Sequence, residues 1–426
     1  MIIISNIKAR EILDSRGMPT VEAEITLKNG IKAIASVASG ASTGSKEALE
    51  LRDKDSARYY QKGVLTAIAH VNGEIKDSLI NKPFYCSSEI DQLLIKLDGS
   101  NNKSRLGANA ILAVSIASAR ACAQYHNLPL YQYVGGNIKQ YIMPTPMINI
   151  INGGAHANNN LDFQEFMIIP ASAPNFTESI RYASQIFQTL KKILYNQQLA
   201  TTVGDEGGFA PNFQSHAQAL DLIMLAIEQA GFKPGQDIVL ALDCAASEFY
   251  QKDKYILANE SLHLDSAQMV EYLSNLSRNY PIVSIEDGLD EQDFKGWQLL
   301  QQTLGSKLQI VGDDIFVTNQ DLVKQGIKEK LANAVLIKPN QIGSLLEVSQ
   351  TIELAKNNSW QTIMSHRSGE TEDSLIADLA VAWNCGQIKT GSLSRSDRMA
   401  KYNQLLRIEA ELGDLAIYSG VSNFCK

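Results

Sequence analysis

The chain lacks most features that mark secreted, membrane-spanning or nucleic-acid-binding proteins. Its 426 residues include five cysteines (Cys86, Cys122, Cys244, Cys385, Cys425), an odd number, widely scattered, with no C-x-x-C pair. Disulfide scaffolds and thiolate zinc or redox sites are not built that way, so reduced thiols are expected. There is no run of like charges, and Lys plus Arg total 38 against 46 for Asp plus Glu, a net charge of -8. A basic surface for nucleic acid or anionic lipid is therefore not expected. The opening MIIISNIKAR has no basic segment before its isoleucines, which are too few for the apolar stretch of a signal peptide. The most apolar run, Ala108 to Ala123, is rich in Ala and Ser and contains Arg120. A spanning helix needs about 20 apolar residues, so this run reads as a buried helix and the chain as cytoplasmic.

What is present is material for a large core. With 45% hydrophobic and 20% charged residues, the chain can fold without staples. Residues 21 to 27 alternate apolar and polar, Asn29-Gly30 supplies a hairpin turn, and a second extended run covers Ile31 to Val37. The pattern turns helical from about Ser45 to Gln124. Pro129, Gly135, Gly136, Pro144 and Pro146 then punctuate a connection. Two unequal domains are expected, residues 1–134 and 140–426. In the second, helical stretches such as Leu220, Ile223, Met224 and Ile227, ending at Gly231, alternate with short apolar strands.

Six of those strands end in a charged or ionisable residue: IVLAL in Asp243, PIVSI in Glu286, LQIVG in Asp313, AVLI in Lys338, QTIM in His366, and GQI in Lys389. The spacings of 43, 27, 25, 28 and 23 residues each leave room for a crossover helix. A parallel α/β barrel follows, with these groups gathered on the face where barrels carry their chemistry. One charge at a strand end is ordinarily a helix cap or a solvated loop residue. Six in succession are not.

Asp243, Glu286 and Asp313 bring three carboxylates together, which repel unless a cation sits among them. Hard oxygen donors without thiolates or paired histidines select Mg²⁺ over zinc. Spacing does not choose between them and the adjacent Asp287 and Asp314. Lys338, His366 with Arg367, and Lys389 form a cationic half suited to a small substrate bearing carboxylate and phosphate. Crowding by Mg²⁺, Arg367 and Lys389 would depress the pKa of Lys338 and let it accept a proton; the alternative is a plain ion pair with the carboxylates.

Three glycine-rich segments complete the set. VGDEGGFAP (203–211) places Asp205 and Glu206 at a turn where a carboxylic acid can donate a proton, although a hydrated loop is the simpler reading. SGASTG (39–44) breaks the P-loop order, and reads as a mobile lid with Ser42 available as an oxygen ligand. INGGAHANNN (151–160) carries His156, a weak signal alone.

Laid out this way, the chain closely resembles the enolase family. The matching segments run almost end to end: ILDSRGMPTVE, SGASTG, NKSRLGANAILAVS, INGGAHANNN, QEFMIIP, VGDEGGFAPN, ALDCAASEFY, SIEDGLDE, VGDD, VLIKPNQIGS, SHRSGETED, GQIKTGS and KYNQLLRIE. SHRSGETED and VLIKPNQIGS are long and specific. Two departures stand out: Met18 where asparagine is usual, and Ala38 where a proline often precedes SGAST.

The resemblance implies an α/β fold: an amino-terminal α+β capping domain and a carboxy-terminal eight-stranded, enolase-type α/β (TIM-like) barrel. Its implied reaction is the reversible dehydration of 2-phospho-D-glycerate to phosphoenolpyruvate. By motif position Asp243, Glu286 and Asp313 match the ligands of a tightly held Mg²⁺, and Ser42 a ligand of a second, substrate-dependent Mg²⁺. Lys338 matches the general base, Glu206 the general acid and Glu165 the carboxylate coupled to it. Gln164, His156, His366, Arg367, Ser368 and Lys389 match substrate-contacting positions, with His156 and His366 close to the proton-transfer chemistry. The family also implies a homodimer, or an octamer of dimers in some bacteria. Some members join RNA-degrading assemblies or occur at the cell surface, including as proteins secreted without a signal peptide. A binding role, with or without turnover, is the rival to catalysis.

Overall fold

The computed structural model describes residues 1–40, 44–136 and 138–424. The amino-terminal part is a four-stranded antiparallel sheet in the spatial order Lys32–Ser36, Pro19–Leu27, Ile2–Leu13, Pro83–Phe84. The hairpin predicted at Asn29-Gly30 is present, with Gly30 at φ 90 and the Asn29 side chain accepting from Ile31 N. The long first strand has no counterpart in the sequence reading. A register shift between Ile4 and Asn6 breaks its two-residue alternation, and that alternation is the signal by which a strand is read.

Helix Ala108–Tyr125 packs on the sheet. Its small Ala and Ser side chains let the backbone come close, and it is buried along nearly its whole length as the sequence required. No helix among the described residues is long and apolar enough to cross a membrane. The helical expectation from Ser45 onward is corrected: the first α-helix starts at Leu65, and 45–64 is irregular apart from a short turn at Tyr59–Gln61. The backbone there is held by distant partners instead, Ala48 N by Gln341 O, Leu49 N by Asn102 O and Leu51 N by the Asn109 side chain. Tertiary pairing has overridden local propensity.

The carboxy-terminal part is a closed eight-stranded barrel. Six strands end at the residues picked out above: Ile238–Asp243, Ile282–Glu286, Gln309–Gly312 before Asp313, Ala334–Ile337 before Lys338, Gln361–Ser365 before His366, and Gly386–Lys389. Two earlier strands close the ring, Thr145–Asn152 and Glu165–Pro170. The second runs antiparallel to both neighbours, so it presents its first residues at the mouth. Asn152, Glu165, Asp243 and Glu286 consequently share one rung. The wide interval after Asp243 contains a small three-stranded sheet before its crossover helix Ser266–Asn279.

Below the mouth the interior is apolar, filled by Met147, Met167, Ile169, Val239, Ala241, Val311, Ala334, Leu336 and Ile363. One polar layer crosses it, in which Gln309 and Gln387 bond each other and Gln309 donates to Ser284 Oγ at 3.0 Å. The sheet domain is tied to the barrel by Arg120, which makes two hydrogen bonds to the Asp373 carboxylate at 2.6 and 2.7 Å. A bidentate, largely buried pair of this kind fixes orientation as well as distance.

Candidate active site

The strand tips meet at the mouth of the barrel. His156, Gln164, Glu165, Glu206, Asp243, Lys338, Ser365, His366, Arg367, Ser368 and Lys389 line a single pocket there. Lys389 Nζ lies 2.8 Å from Asp243, 2.8 Å from Glu286 and 3.1 Å from Glu165. Burial by itself would lower the Lys389 pKa, but these three carboxylates outweigh it and hold the ammonium well above its ordinary range. Asp313 is the odd member: it pairs with Lys338 and accepts from Gln341 Nε2 at 2.9 Å.

The carboxylates fit a divalent cation. Glu286 is 1% exposed, and its Oε2 has no hydrogen-bond partner. An anionic oxygen in that state is costly unless positive charge reaches it. Among the described residues, the groups whose ligand atoms already lie close enough to share one ion are Asp287, Asp313 and Asp314 and, apart from them, His156, Glu165 and Glu206, whereas Asp243 and Glu286 meet at Lys389. However, the Asp287 carboxylate is already occupied by the backbone N–H groups of Asp313 and Asp314. That makes it a brace for the turn. Asp287 itself sits at φ 42, a strained conformation for a residue with a side chain.

Lys338 does not match the lowered pKa expected of it. Burial acts in that direction, but the adjacent Asp313 carboxylate outweighs burial and raises the pKa instead. Asp313 is correspondingly held low by Lys338, against the effect of burial.

The loop carrying Glu206 folds into the pocket, and Glu206 is only 2% exposed, so the hydrated-loop reading is excluded. Asn149 Nδ2 donates to its Oε2 at 3.1 Å, while His156 Nδ1 and His366 Nε2 approach its Oε1 at 3.4 and 3.2 Å. Burial would raise this carboxyl, yet His156, His366 and Arg398 outweigh it and keep Glu206 well below the usual carboxylate range. Glu165 is the reverse: burial and the nearby Glu206 charge push it well above that range. Burial and neighbouring charge thus drive the two carboxyls apart, Glu165 upward and Glu206 downward. Burial also lowers both histidines, His366 to about 3, so both rings are neutral.

Arg367 is engaged by protein groups within the pocket. Its guanidinium bonds both oxygens of Glu47 at 3.0 and 3.1 Å, and Asn340 Oδ1 at 3.1 Å. The Ser368 hydroxyl lies 3.5 Å from Arg16 Nη1. Gln164 Nε2 is 3.4 Å from Asp243, leaving its Oε1 buried without a partner. Ser42 lies outside the described residues.

Several members were not singled out from the sequence. Gln341 lies inside VLIKPNQIGS and was within sight. Asn149 sits on a barrel strand without a charged tip. Glu47 and Arg398 come from segments with no chemical motif, and only the fold brings them here. Gly391 shows how tight the assembly is: at φ 80, an added Cβ would meet Glu206 O at 2.8 Å and His366 Cε1 at 3.0 Å.

Two family descriptions match the chain. The enolase N-terminal domain covers residues 4–134, and the enolase C-terminal TIM barrel domain covers residues 140–426.

Proposed function

Because the chain belongs to the enolase family, we propose that it catalyses the reversible, Mg²⁺-dependent dehydration of 2-phospho-D-glycerate to phosphoenolpyruvate. The observation that carries this reading is one buried pocket lined both by Lys338 and by the Glu206 and Glu165 pair, with Lys389 among the carboxylates between them. A reaction that removes a proton from one carbon and a hydroxyl from the next needs a base and an acid in one enclosure.

The hard step is taking a proton from a carbon beside a carboxylate, since it adds a second negative charge to an anion. Asp243, Glu286 and Asp313 would hold one Mg²⁺ and Ser42 would contribute to a second, and bound there the ions would supply concentrated positive charge for that carboxylate. Lys389 adds a fixed ammonium on the same side. Lys338 takes the C2 proton, for which it has to be neutral. Its partner Asp313 is what holds it protonated, so engaging Asp313 elsewhere frees Lys338 to act as a base. Glu206 gives a proton to the departing C3 hydroxyl. Glu165, protonated by its burial, is the reservoir next to it, and negative charge arriving with substrate favours moving that proton onto Glu206. His156 and Gln164 orient the hydroxyl side, while Arg367 and Ser368 exchange their present partners for the phosphate.

The test is direct. Mixed with 2-phosphoglycerate and Mg²⁺, the protein is expected to generate phosphoenolpyruvate absorbance, and chelation is expected to stop it. Turnover surviving thorough chelation overturns the metal assignment; no turnover under any metal condition overturns the reaction.

A further inference from the structure

Arg398 is absent from every motif above, yet it is one of the largest fully buried side chains in the molecule. It stands in the first turn of helix Ser396–Leu412 and reaches across the back of the pocket. Nη1 lies 2.5 Å from His366 Nδ1 and 2.6 Å from Arg367 O. Nη2 lies 2.6 Å from Ser368 O and 3.2 Å from Asp205 O, and Nε lies 2.8 Å from the Asp397 carboxylate. One guanidinium thus grips the loop before Glu206 and the loop after the Ser365 strand together.

The contact with His366 has a directional consequence. A guanidinium donates hydrogen bonds and never accepts them. The ring nitrogen facing it must therefore be the one with the bare lone pair, and in a neutral imidazole the single proton is then on the other nitrogen. That other nitrogen, Nε2, lies 3.2 Å from Glu206 Oε1.

We infer that Arg398 is a positioning residue for proton transfer: it fixes His366 as the tautomer that carries its proton on Nε2, the nitrogen nearer Glu206, and it anchors the Asp205 carbonyl so that Glu206 stays beside that ring. This deepens the proposed function and rests on the reading of Glu206 as the acid. It also assigns a role by exclusion. With Nδ1 capped by a permanent cation, His366 has no route for passing a proton through its ring, so it acts on Glu206 through the partial charge of its Nε2–H at 3.2 Å. The proton Glu206 delivers comes from the Glu165 and His156 side.

The first test needs no altered active site. In full-length protein labelled with ¹⁵N-histidine, the His366 ring, assigned by comparison with His366→Gln, is expected to show a protonated Nε2 and a bare Nδ1 near neutral pH. A protonated Nδ1 overturns the inference. In Arg398→Lys, with folding checked by thermal unfolding, the His366 ring should become a mixture of tautomers. Dehydration should fall about tenfold to a hundredfold, the cost of a misplaced catalytic group, while C2 proton exchange with solvent is nearly retained. An equal fall in exchange and dehydration marks general damage and overturns the positioning role; so does an unchanged tautomer. If wild-type protein makes no phosphoenolpyruvate, the enolase reading fails separately, and the ring measurement still decides what Arg398 does.

Discussion

The mouth and the interior of the barrel are made by the same strands, a few residues apart, and follow opposite rules. In the interior, apolar side chains pack without charge, and the residues of the polar layer that crosses it, Ser284, Gln309 and Gln387, bond one another. At the mouth, buried charges crowd together and polar atoms go unpaired: His156 Nδ1, Gln164 Oε1, Glu165 Oε2 and Glu286 Oε2 all lack hydrogen-bond partners. Backbone strain is found there too, at Asp287 and at the β-branched Val317, both at φ 42. Such a mouth is not built for stability. It is tolerated because the interior below it supplies the cohesion, and unpaired groups of this kind mark a functional rather than a structural region.

The strongest way to break the contrast is at the two groups of the mouth proposed to transfer protons, Lys338 and Glu206. Lys338→Ala should abolish C2 proton exchange, a loss of at least about 10²-fold to 10⁴-fold for a positioned base, with thermal stability little changed. Glu206→Gln should stop dehydration yet leave C2 exchange measurable, because proton removal precedes departure of hydroxide. If exchange is normal in the first variant, or vanishes with dehydration in the second, the division between base and acid is wrong.

The converse change is in the interior. Ile363 is fully buried in the apolar plug, and Ile363→Ala should cost about 2 to 5 kcal/mol of unfolding free energy in urea titration. Turnover per folded molecule should stay close to wild type. A selective loss of turnover would show that plug and mouth are not separable.

The smallest effect comes from a polar cluster behind the mouth. Glu260 accepts from His216 N at 2.9 Å and from the Tyr272 hydroxyl at 2.8 Å. Burial would raise its pKa, but these bonds and the His216 charge outweigh it and hold the carboxyl at about 2. A depressed acid stabilises the fold above its unfolded pKa, near 4.5, and loses that contribution as pH falls toward 2. Since the side chain is 17% exposed, solvent screening reduces the effect to about 1 to 2 kcal/mol. Glu260→Gln should therefore be destabilised at pH 7, with the difference shrinking as acid is added. A constant difference across that range contradicts the assignment.

Much of this contrast was legible in the sequence because period and punctuation survive in it. Six short apolar runs, each closed by an ionisable residue, gave the barrel and half of the site at once. The charge state of Lys338 was not legible: it depends on whether Asp313 points at the lysine or at an ion, and spacing says nothing about direction. Glu165 and Gln164 also escaped spacing arguments, because they begin a strand that runs backward, and only the resemblance picked them out. Arg398 lies beyond both approaches, since a buried arginine on a helix looks like any surface arginine until the chain is folded.

The reversed strand Glu165–Pro170 also bears on how the barrel assembles. Along the chain, about half as many residues separate Asn152 from Glu165 as separate Glu286 from Val311, two pairs that are neighbours across strands. Loop closure is cheaper for the first pair, and only the short 3-10 turn Gly154–His156, not a crossover α-helix, has to form in between. The hairpin from Thr145 to Pro170 is thus the natural nucleus from which the ring grows. Pulse-labelled hydrogen exchange during refolding should protect its amides before those of any parallel strand; simultaneous protection around the ring would show that closure is concerted.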